Sequence, residues 1–247
     1  MTTPTLNDVR AAIAPSGTLR IAINFGNPVL AQKDPATGEA RGISADIARE
    51  LGRRLDLPVR FVTFDAAGKV FAALQEGAWD VAFLAIDPKR AAEIDFTAPY
   101  VIIEGSYMVP AGSPLRDVAD VDRPGVRIAV GNGSAYELYL TRTIRHAELV
   151  RAPTGGEAIA QFERDGLEAA AGVKSPLLAY ASARPDLRVM DGRFMVIEQA
   201  MGTPKGRAAA ARYLGAMIEE LKATGFVASG LEKSGQGDAL VAPPAAA

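Results

Sequence analysis

Apolar residues in the first hundred positions follow strand-like and helix-like spacings in turn. Period-two alternation or short apolar runs predict strands at residues 18–23, 58–62 and 79–84. We expect Ser44 to cap a helix. After it, apolar residues recur at helical spacing: Ile47, Ala48, Leu51 and Leu55. A short helix over residues 69–76, closed by Gly77, is predicted before the third strand. This order predicts a largely parallel sheet with helices on both faces.

The pattern then recurs as a smaller copy. Residues 125–130 echo residues 17–23, and each stretch is followed by a Ser-Ala pair, beginning at Ser44 or Ser134, that opens a helix. A further apolar strand is predicted over residues 167–173. The sequence therefore predicts an α/β protein with two lobes, and clefts between domains are where small ligands usually bind.

Two extended stretches, 105–109 and 194–199, are predicted to carry the chain between the lobes as hinge crossings. The amphipathic helix predicted over 207–223 follows the second crossing and has no core of its own there, so we expect it to pack on the first lobe. The domain prediction assigns residues 1–105 plus 200–247 to lobe 1 and residues 106–199 to lobe 2.

Composition excludes several classes of protein. The 247 residues carry 27 Lys and Arg against 29 Asp and Glu, and this balance argues against a nucleic-acid partner. With no Cys and one His, disulfides, thiolate catalysis and His- or Cys-based metal sites are excluded, and we expect no metal and no cofactor. No run of 18 apolar residues indicates a membrane span. The low-complexity tail, residues 242–247, is predicted to be unstructured.

Several short segments carry a family resemblance in their order and spacing. They are Gly38–Ile47, Leu74–Val81, Pro88–Tyr100, Gly131–Ala135 and Lys174–Pro176. On these segments the chain resembles the type II solute-binding proteins of the amino-acid-binding family, family 3, that serve ABC importers. The resemblance runs from about Gly17 to Lys233. It implies a two-lobed, periplasmic-binding-protein-like α/β fold with two hinge crossings, a monomer that closes on its ligand, and no enzymatic activity.

The resemblance also implies which residues bind the ligand. Arg90 stands where the family grips the ligand carboxylate, and a guanidinium suits this role because it offers two parallel charge-assisted donors. The turn of Gly133, Ser134 and Ala135 stands where the family binds the same carboxylate with a helix N-terminus. The alternatives are a solvated Arg on a short helix and an ordinary N-cap by Ser134.

The departures from the family pattern bear on the ligand. Lys174 replaces the acidic residue that binds the ligand's ammonium group, and two cations repel each other. Phe83 and Ala85 make the first-lobe side of the pocket more apolar than the family norm. Asn27 and Ala67 stand where aromatic residues are usual. A solvent-facing Lys174 at a helix start is the alternative to a ligand-binding one.

These observations predict a small-molecule ligand: an organic carboxylate without a free α-amine, or a dianion held by Arg90 and Lys174 together. An alternative is a dehydratase-like enzyme acting on a cyclic carboxylate such as prephenate or arogenate, with Lys174 as acid or base. A cytoplasmic ligand-sensing module is a third reading. The resemblance favours a periplasmic location and an ABC permease as partner, whereas the first residues show no export signal, so a cytoplasmic location stays open.

Overall fold

The computed structural model describes residues 5–245, which divide into two compact units. Unit 1 holds the described residues up to 64, then 69–102 and those from 198 onward; unit 2 holds 65–68 and 103–197.

The first ten elements along the described chain are α1 (Leu6–Ile13), β1 (Leu19–Asn24), β2 (Gln32–Lys33), β3 (Ala40–Arg41), α2 (Ile43–Leu55), β4 (Val59–Phe64), α3 (Ala67–Ala72), β5 (Val81–Ala85), α4 (Pro88–Ala91) and β6 (Ile94–Pro110). A 3-10 helix (Val118–Val121) then precedes β7 (Arg127–Gly131), α5 (Ala135–Thr143), β8 (Glu148–Ala152), α6 (Gly155–Arg164), β9 (Ala169–Val173), α7 (Lys174–Ala181) and β10 (Leu187–Val189). The chain finishes with β11 (Met195–Pro204), α8 (Ala208–Ala223), α9 (Phe226–Lys233) and β12 (Leu240–Val241).

The sheet of unit 1 is parallel at its centre, as predicted. Strand β1 pairs in parallel with β4 and with β5, and β11 returns antiparallel along β5. Every residue of β5 is buried, which explains its unbroken apolar sequence. Helix α2 covers the sheet with the face predicted from its spacing, since Ile47, Ala48, Leu51 and Leu55 are all buried.

Two local predictions in unit 1 were wrong. Helix α2 begins at Ile43 behind Gly42, and Ser44 is a buried residue whose hydroxyl lies 2.9 Å from the Tyr100 hydroxyl. Gly42 has a φ of 99°, and a Cβ there would lie 2.8 Å from the Leu30 carbonyl oxygen, so glycine is required at the start of this helix. The helix predicted over 69–76 is instead α3, which starts two residues earlier and gives way to turns after Ala72.

Unit 2 repeats the strand–helix pattern of unit 1. Strand β7 pairs in parallel with β8 and β9, while β6 runs antiparallel to β9 and β10. Helix α5 begins directly after Ser134, whose side chain accepts the Glu137 N–H, so the predicted cap is confirmed. Strand β9 follows as the sequence predicts, although it starts two residues later. Helix α6, which the sequence reasoning did not predict, precedes it.

The internal repeat extends to a matched ion pair in each unit. Arg20 donates its backbone N–H, Nε and Nη2 to Asp80, and its Nη1 reaches the Gly77 carbonyl. Arg127 donates the same three groups to Glu168, and its Nη2 also reaches the Gly166 carbonyl. In each unit the pair connects the strand that carries the arginine, β1 or β7, to the residue just before a neighbouring parallel strand, β5 or β9.

The C-terminal segment is ordered as far as it is described, which corrects the prediction of an unstructured tail. Strand β12 pairs antiparallel with β6 at Val101 and Ile102. Ala242 is buried and donates its N–H to the Tyr100 carbonyl. Lys222 on α8 donates to the carbonyls of Pro99 and Pro243, so a side chain as well as a strand holds the segment. The last two positions of the predicted tail, 246 and 247, lie outside the described residues.

Candidate functional site

Arg90 lies in the last turn of α4 and is almost completely buried, at 1% exposure. The local sequence explains the short helix, because Asp87 caps it by accepting the Lys89 N–H and Pro88 occupies its first turn. Burial lowers the pKa of Arg90 to about 10, and the charge of Asp87 acts in the opposite direction. A guanidinium withdrawn from water in this way interacts strongly with any anion that reaches it.

Two other predicted site residues lie on β5, next to Arg90 in unit 1. The Arg90 Nη1 donates to the Ala85 carbonyl at 2.9 Å, so the structure brings these two predicted residues together. Phe83 is buried, and its ring packs edge-on against Tyr100 with the centroids 5.9 Å apart. Phe83 therefore belongs to the core of unit 1, and the peptide backbone of β5 supplies the polar contact to Arg90.

Asn27 lies in the turn that follows β1 and is 8% exposed. Its backbone carbonyl accepts the N–H groups of Leu30 and Ala31, which closes the turn. Its side-chain Oδ1 is buried without a hydrogen-bond partner among the described residues. A buried acceptor in this state costs about 1–3 kcal/mol, so it can gain from a ligand donor.

The turn between β7 and α5 in unit 2 holds the other predicted anion-binding residues. The Gly133 N–H donates to Glu137 Oε2 at 3.1 Å, and the Ser134 N–H donates to the Gly131 carbonyl at 3.1 Å. Both N–H groups are therefore hydrogen-bonded within the turn. Of the backbone N–H groups that the sequence suggested for a ligand, the one of Ala135 is left. Ala135 is the first residue of α5. The N–H groups in the first turn of a helix have no carbonyl acceptor within the helix.

Glu137 was missed by the sequence reasoning. It is buried, and besides the Gly133 N–H its carboxylate accepts from Thr141 Oγ1 and Arg151 Nε, each at 2.8 Å. A signal was present, since Ser134 and Glu137 have the S-x-x-E spacing of a capping box. The carboxylate holds the Gly133 N–H in place of the usual cap N–H, and so fixes the shape of the turn.

Ala67 opens α3, and its neighbour Gly68 packs against the same turn of unit 2. A Cβ on Gly133 would lie 2.7 Å from the Gly68 Cα, and a Cβ on Gly68 would lie 2.7 Å from the Asn132 carbonyl oxygen. Gly133 also has a φ of 69°, which favours glycine. The two glycines therefore let the backbones of residues 65–68 and of the turn approach closely.

Lys174 is the first residue of α7, and its charge is partnered within unit 2. Its Nζ lies 3.5 Å from Glu104 Oε2, while the other oxygen of Glu104 accepts from Arg193 Nη1. The hydrogen bond from Arg193 is the main influence that lowers the pKa of Glu104; burial opposes it, and the charge of Lys174 assists it. The sequence identified Lys174 as a candidate, and its pairing with Glu104 follows from the strand register between β6 and β9.

Within residues 5–245, no three or more Asp, Glu or His side chains come together in a group able to hold a metal ion. Over the same range, no helix combines the length and apolar character that crossing a membrane requires.

Comparison with known proteins gives a consistent result. The profile of the family described as bacterial extracellular solute-binding proteins, family 3, matches residues 19–235. The ABC transporter glutamine-binding protein GlnH of Bacillus subtilis (strain 168) is 21% identical over 223 residues, 88% of this chain and 81% of that protein.

Solved structures agree with this result. A solute receptor for L-cysteine of Neisseria gonorrhoeae has a TM-score of 0.79 at 24% identity, over 91% of this chain and 92% of that chain. An amino acid ABC transporter substrate-binding protein from Streptococcus pneumoniae Canada MDR_19A, bound to L-arginine, has a TM-score of 0.78 at 20% identity, over 95% of this chain and 99% of that chain.

These likenesses confirm the predicted fold class, a type II periplasmic-binding-protein-like α/β fold. The relatives are named as binding proteins and receptors, which agrees with the non-catalytic role that the sequence predicts. Since the profile covers nearly all of the described chain, this protein belongs to the bacterial extracellular solute-binding proteins of family 3.

Proposed function

We propose that this solute-binding protein binds a small organic carboxylate that lacks an α-ammonium group, and delivers it to an ABC-type permease. The observation that carries the proposal is the burial of Arg90, a cation at 1% exposure that a short capped helix places beside the Ala85 carbonyl. A carboxylate bound there would accept charge-assisted hydrogen bonds, each contributing about 1.5–3 kcal/mol.

The turn before α5 in unit 2 is the other anion-binding candidate of the proposal. The Gly133 N–H is engaged with Glu137, so the proposal assigns ligand contact to the Ser134 hydroxyl and the Ala135 N–H. These groups lie at the start of α5, a nine-residue helix whose dipole favours an anion at this end. Gly133 then has a supporting role, because it shapes the turn without donating to the ligand.

The proposal excludes standard α-amino acids because of Lys174. A ligand ammonium beside this side chain would meet a like charge, and a lysine offers no acceptor for it. Since Glu104 already pairs with Lys174, the geometry favours a monocarboxylate over a dianion. The relatives named for glutamine and arginine make amino acids the competing ligand class, so the same experiment must include them.

The test is isothermal titration calorimetry of the purified protein against four ligand sets: standard amino acids, 2-keto acids, dicarboxylates and aromatic acids. We expect binding by a carboxylate without an amine, and a loss of about 100-fold or more in the Arg90→Met variant. Lys89→Met is the matched control, since Lys89 neighbours Arg90 on α4 and is exposed. Circular dichroism must show that each variant is folded.

Two results would contradict the proposal. Tight binding of an ordinary amino acid would overturn the argument from Lys174. Unchanged carboxylate affinity in a folded Arg90→Met protein would remove Arg90 from the site.

The proposal includes the transport context that the sequence predicts: a monomer with a hinge between residues 1–105 plus 200–247 and residues 106–199, and a periplasmic location. Uptake of the identified ligand by cells with and without the gene tests the transport role, because a cytoplasmic sensor would leave uptake unchanged. Incubation with prephenate tests the dehydratase alternative, since turnover would yield phenylpyruvate.

A further inference from the structure

Glu104 lies at a point where strand register brings two cations to one carboxylate. Strand β6 runs antiparallel to β9 with Gly105 opposite Val173, so Glu104 lies opposite Lys174, the residue after Val173. On the other side of Gly105, the Phe194 N–H donates to the Gly105 carbonyl and places Arg193 beside Glu104. Gly105 permits the approach of the segment that carries Arg193, because a Cβ there would lie 2.9 Å from Met195 Cγ and 3.0 Å from the Phe194 ring.

The cluster of Glu104, Lys174 and Arg193 contains one acidic and two basic side chains. Glu104 binds Lys174 through one oxygen and Arg193 through the other, so one negative charge is shared by two positive ones. All three side chains are partly exposed, so a solute can still interact with them. While Glu104 is ionised, the ammonium of Lys174 has an anionic partner within the protein, and an added anion must compete with that partner.

We propose that Glu104 determines the charge of the ligand: by pairing with Lys174 it withholds this cation from the ligand, and the protein selects monoanions over dianions. This inference rests on the proposed function, because it takes Lys174 as a residue that the ligand approaches. It assigns to Glu104 a role that acts through Lys174, and so makes Glu104 a positioning residue.

The experiment compares two ligands of similar size, butyrate and succinate, which differ by one carboxylate. Calorimetry at low ionic strength measures the dissociation constants of both for the unaltered protein, Glu104→Gln, Lys174→Gln and the double variant. The quantity of interest is the ratio of the succinate constant to the butyrate constant. If the screen identifies a tighter monocarboxylate, that acid and its dicarboxylate counterpart replace this pair.

We expect the unaltered protein to prefer the monoanion, and Glu104→Gln to lower the ratio at least tenfold, about 1.4 kcal/mol. The change should disappear in the double variant, because Lys174 is the group that Glu104 releases. Glu148→Gln is the matched control, since it removes an exposed carboxylate on β8 of the same unit and should leave the ratio unchanged.

The outcomes separate this inference from the proposed function. If the unaltered protein binds no carboxylate, the proposed function fails and the inference fails with it. If the protein binds a monocarboxylate but Glu104→Gln leaves the ratio unchanged, the inference alone is wrong. It is equally wrong if the unaltered protein prefers the dianion, or if the effect persists without Lys174 and so runs through Arg193.

Discussion

The matched ion pairs of the two units allow one prediction to be worked out in detail, because their hydrogen bonding is similar and their burial differs. The Arg20 side chain is 23% exposed and Asp80 is 0% exposed. In the second pair, Arg127 is 39% and Glu168 is 35% exposed. The perturbation is the same in each, a substitution of the arginine by alanine.

Burial sets the expected magnitudes. Removing one partner of a buried pair costs about 3–5 kcal/mol, since it leaves a charge in a poorly solvated place. Asp80 would keep the Arg20 backbone N–H and a hydrogen bond from Arg207 at 3.2 Å, so we expect Arg20→Ala to cost about 3 kcal/mol. Exposed pairs contribute about 0.2–1 kcal/mol, and the two-bond geometry puts Arg127→Ala at the upper end, about 1 kcal/mol.

The assay must measure each unit separately. Native-state hydrogen exchange of the amides in β1 and β7 gives the free energy of opening for unit 1 and unit 2 in the same sample. The chain has one tryptophan, Trp79, which is buried in unit 1, so its fluorescence in urea is an independent measure for Arg20→Ala. Equal costs in the two units, or a larger cost for Arg127→Ala, would refute the reasoning that burial determines the strength of these pairs.

Two further predictions concern the loss of stability at acidic pH and the cost of backbone strain. Burial acts to raise the pKa of Asp80, but hydrogen bonds from Arg20 and Arg207 outweigh it and lower the pKa, so this carboxylate stabilises the fold above its unfolded pKa of about 3.9. That stability is lost as the pH falls through the folded pKa. The difference in urea midpoint between the unaltered protein and Asp80→Asn should therefore narrow below about pH 4. A difference that stays constant with pH would contradict this prediction. Gly133→Ala should cost about 2 kcal/mol or more, because φ is 69° and the Cβ would meet the Gly68 backbone. Gly215→Ala, in open space inside α8, should gain about 0.5–1 kcal/mol on thermal unfolding, and similar effects of both would contradict the argument.

Local patterns predicted most of the fold, because periodicity reports which face of an element is buried. Strands β1, β4, β5, β7 and β9 and the helix that begins after Ser134 follow directly from this signal. Ser44 shows where the signal fails: its type and position suit a cap, but a tertiary contact with Tyr100 buries it inside α2. The tail failed for a related reason, since the hydrogen bond from the Ala242 N–H to the Tyr100 carbonyl depends on a strand about 140 residues earlier in the chain.

The candidate site divides in the same way. The sequence identified Arg90 and the turn at Ser134 as candidates, because the resemblance fixes their positions. It missed the partners that set their chemistry. The contact between Glu104 and Lys174 joins residues that are distant in the chain, and only the register of β6 on β9 brings them together. Glu137 lay within reach of sequence reasoning, yet the capping-box pattern alone does not say that its carboxylate would take the Gly133 N–H.

The C-terminal strand has a practical consequence for anyone who fuses a dye-binding tag or a fluorescent protein to this chain. Truncating the chain before Leu240 would remove the strand that pairs with β6 at Val101 and Ile102. The backbone N–H and C=O groups left unpaired there are of the kind that promote self-association. Attachment after Ala245 would keep that neighbour, and a spacer there would also spare the contact between the Ala245 N–H and Glu219. The safer fusion point is therefore after Ala245, beyond the residues that are hydrogen-bonded to β6 and α8.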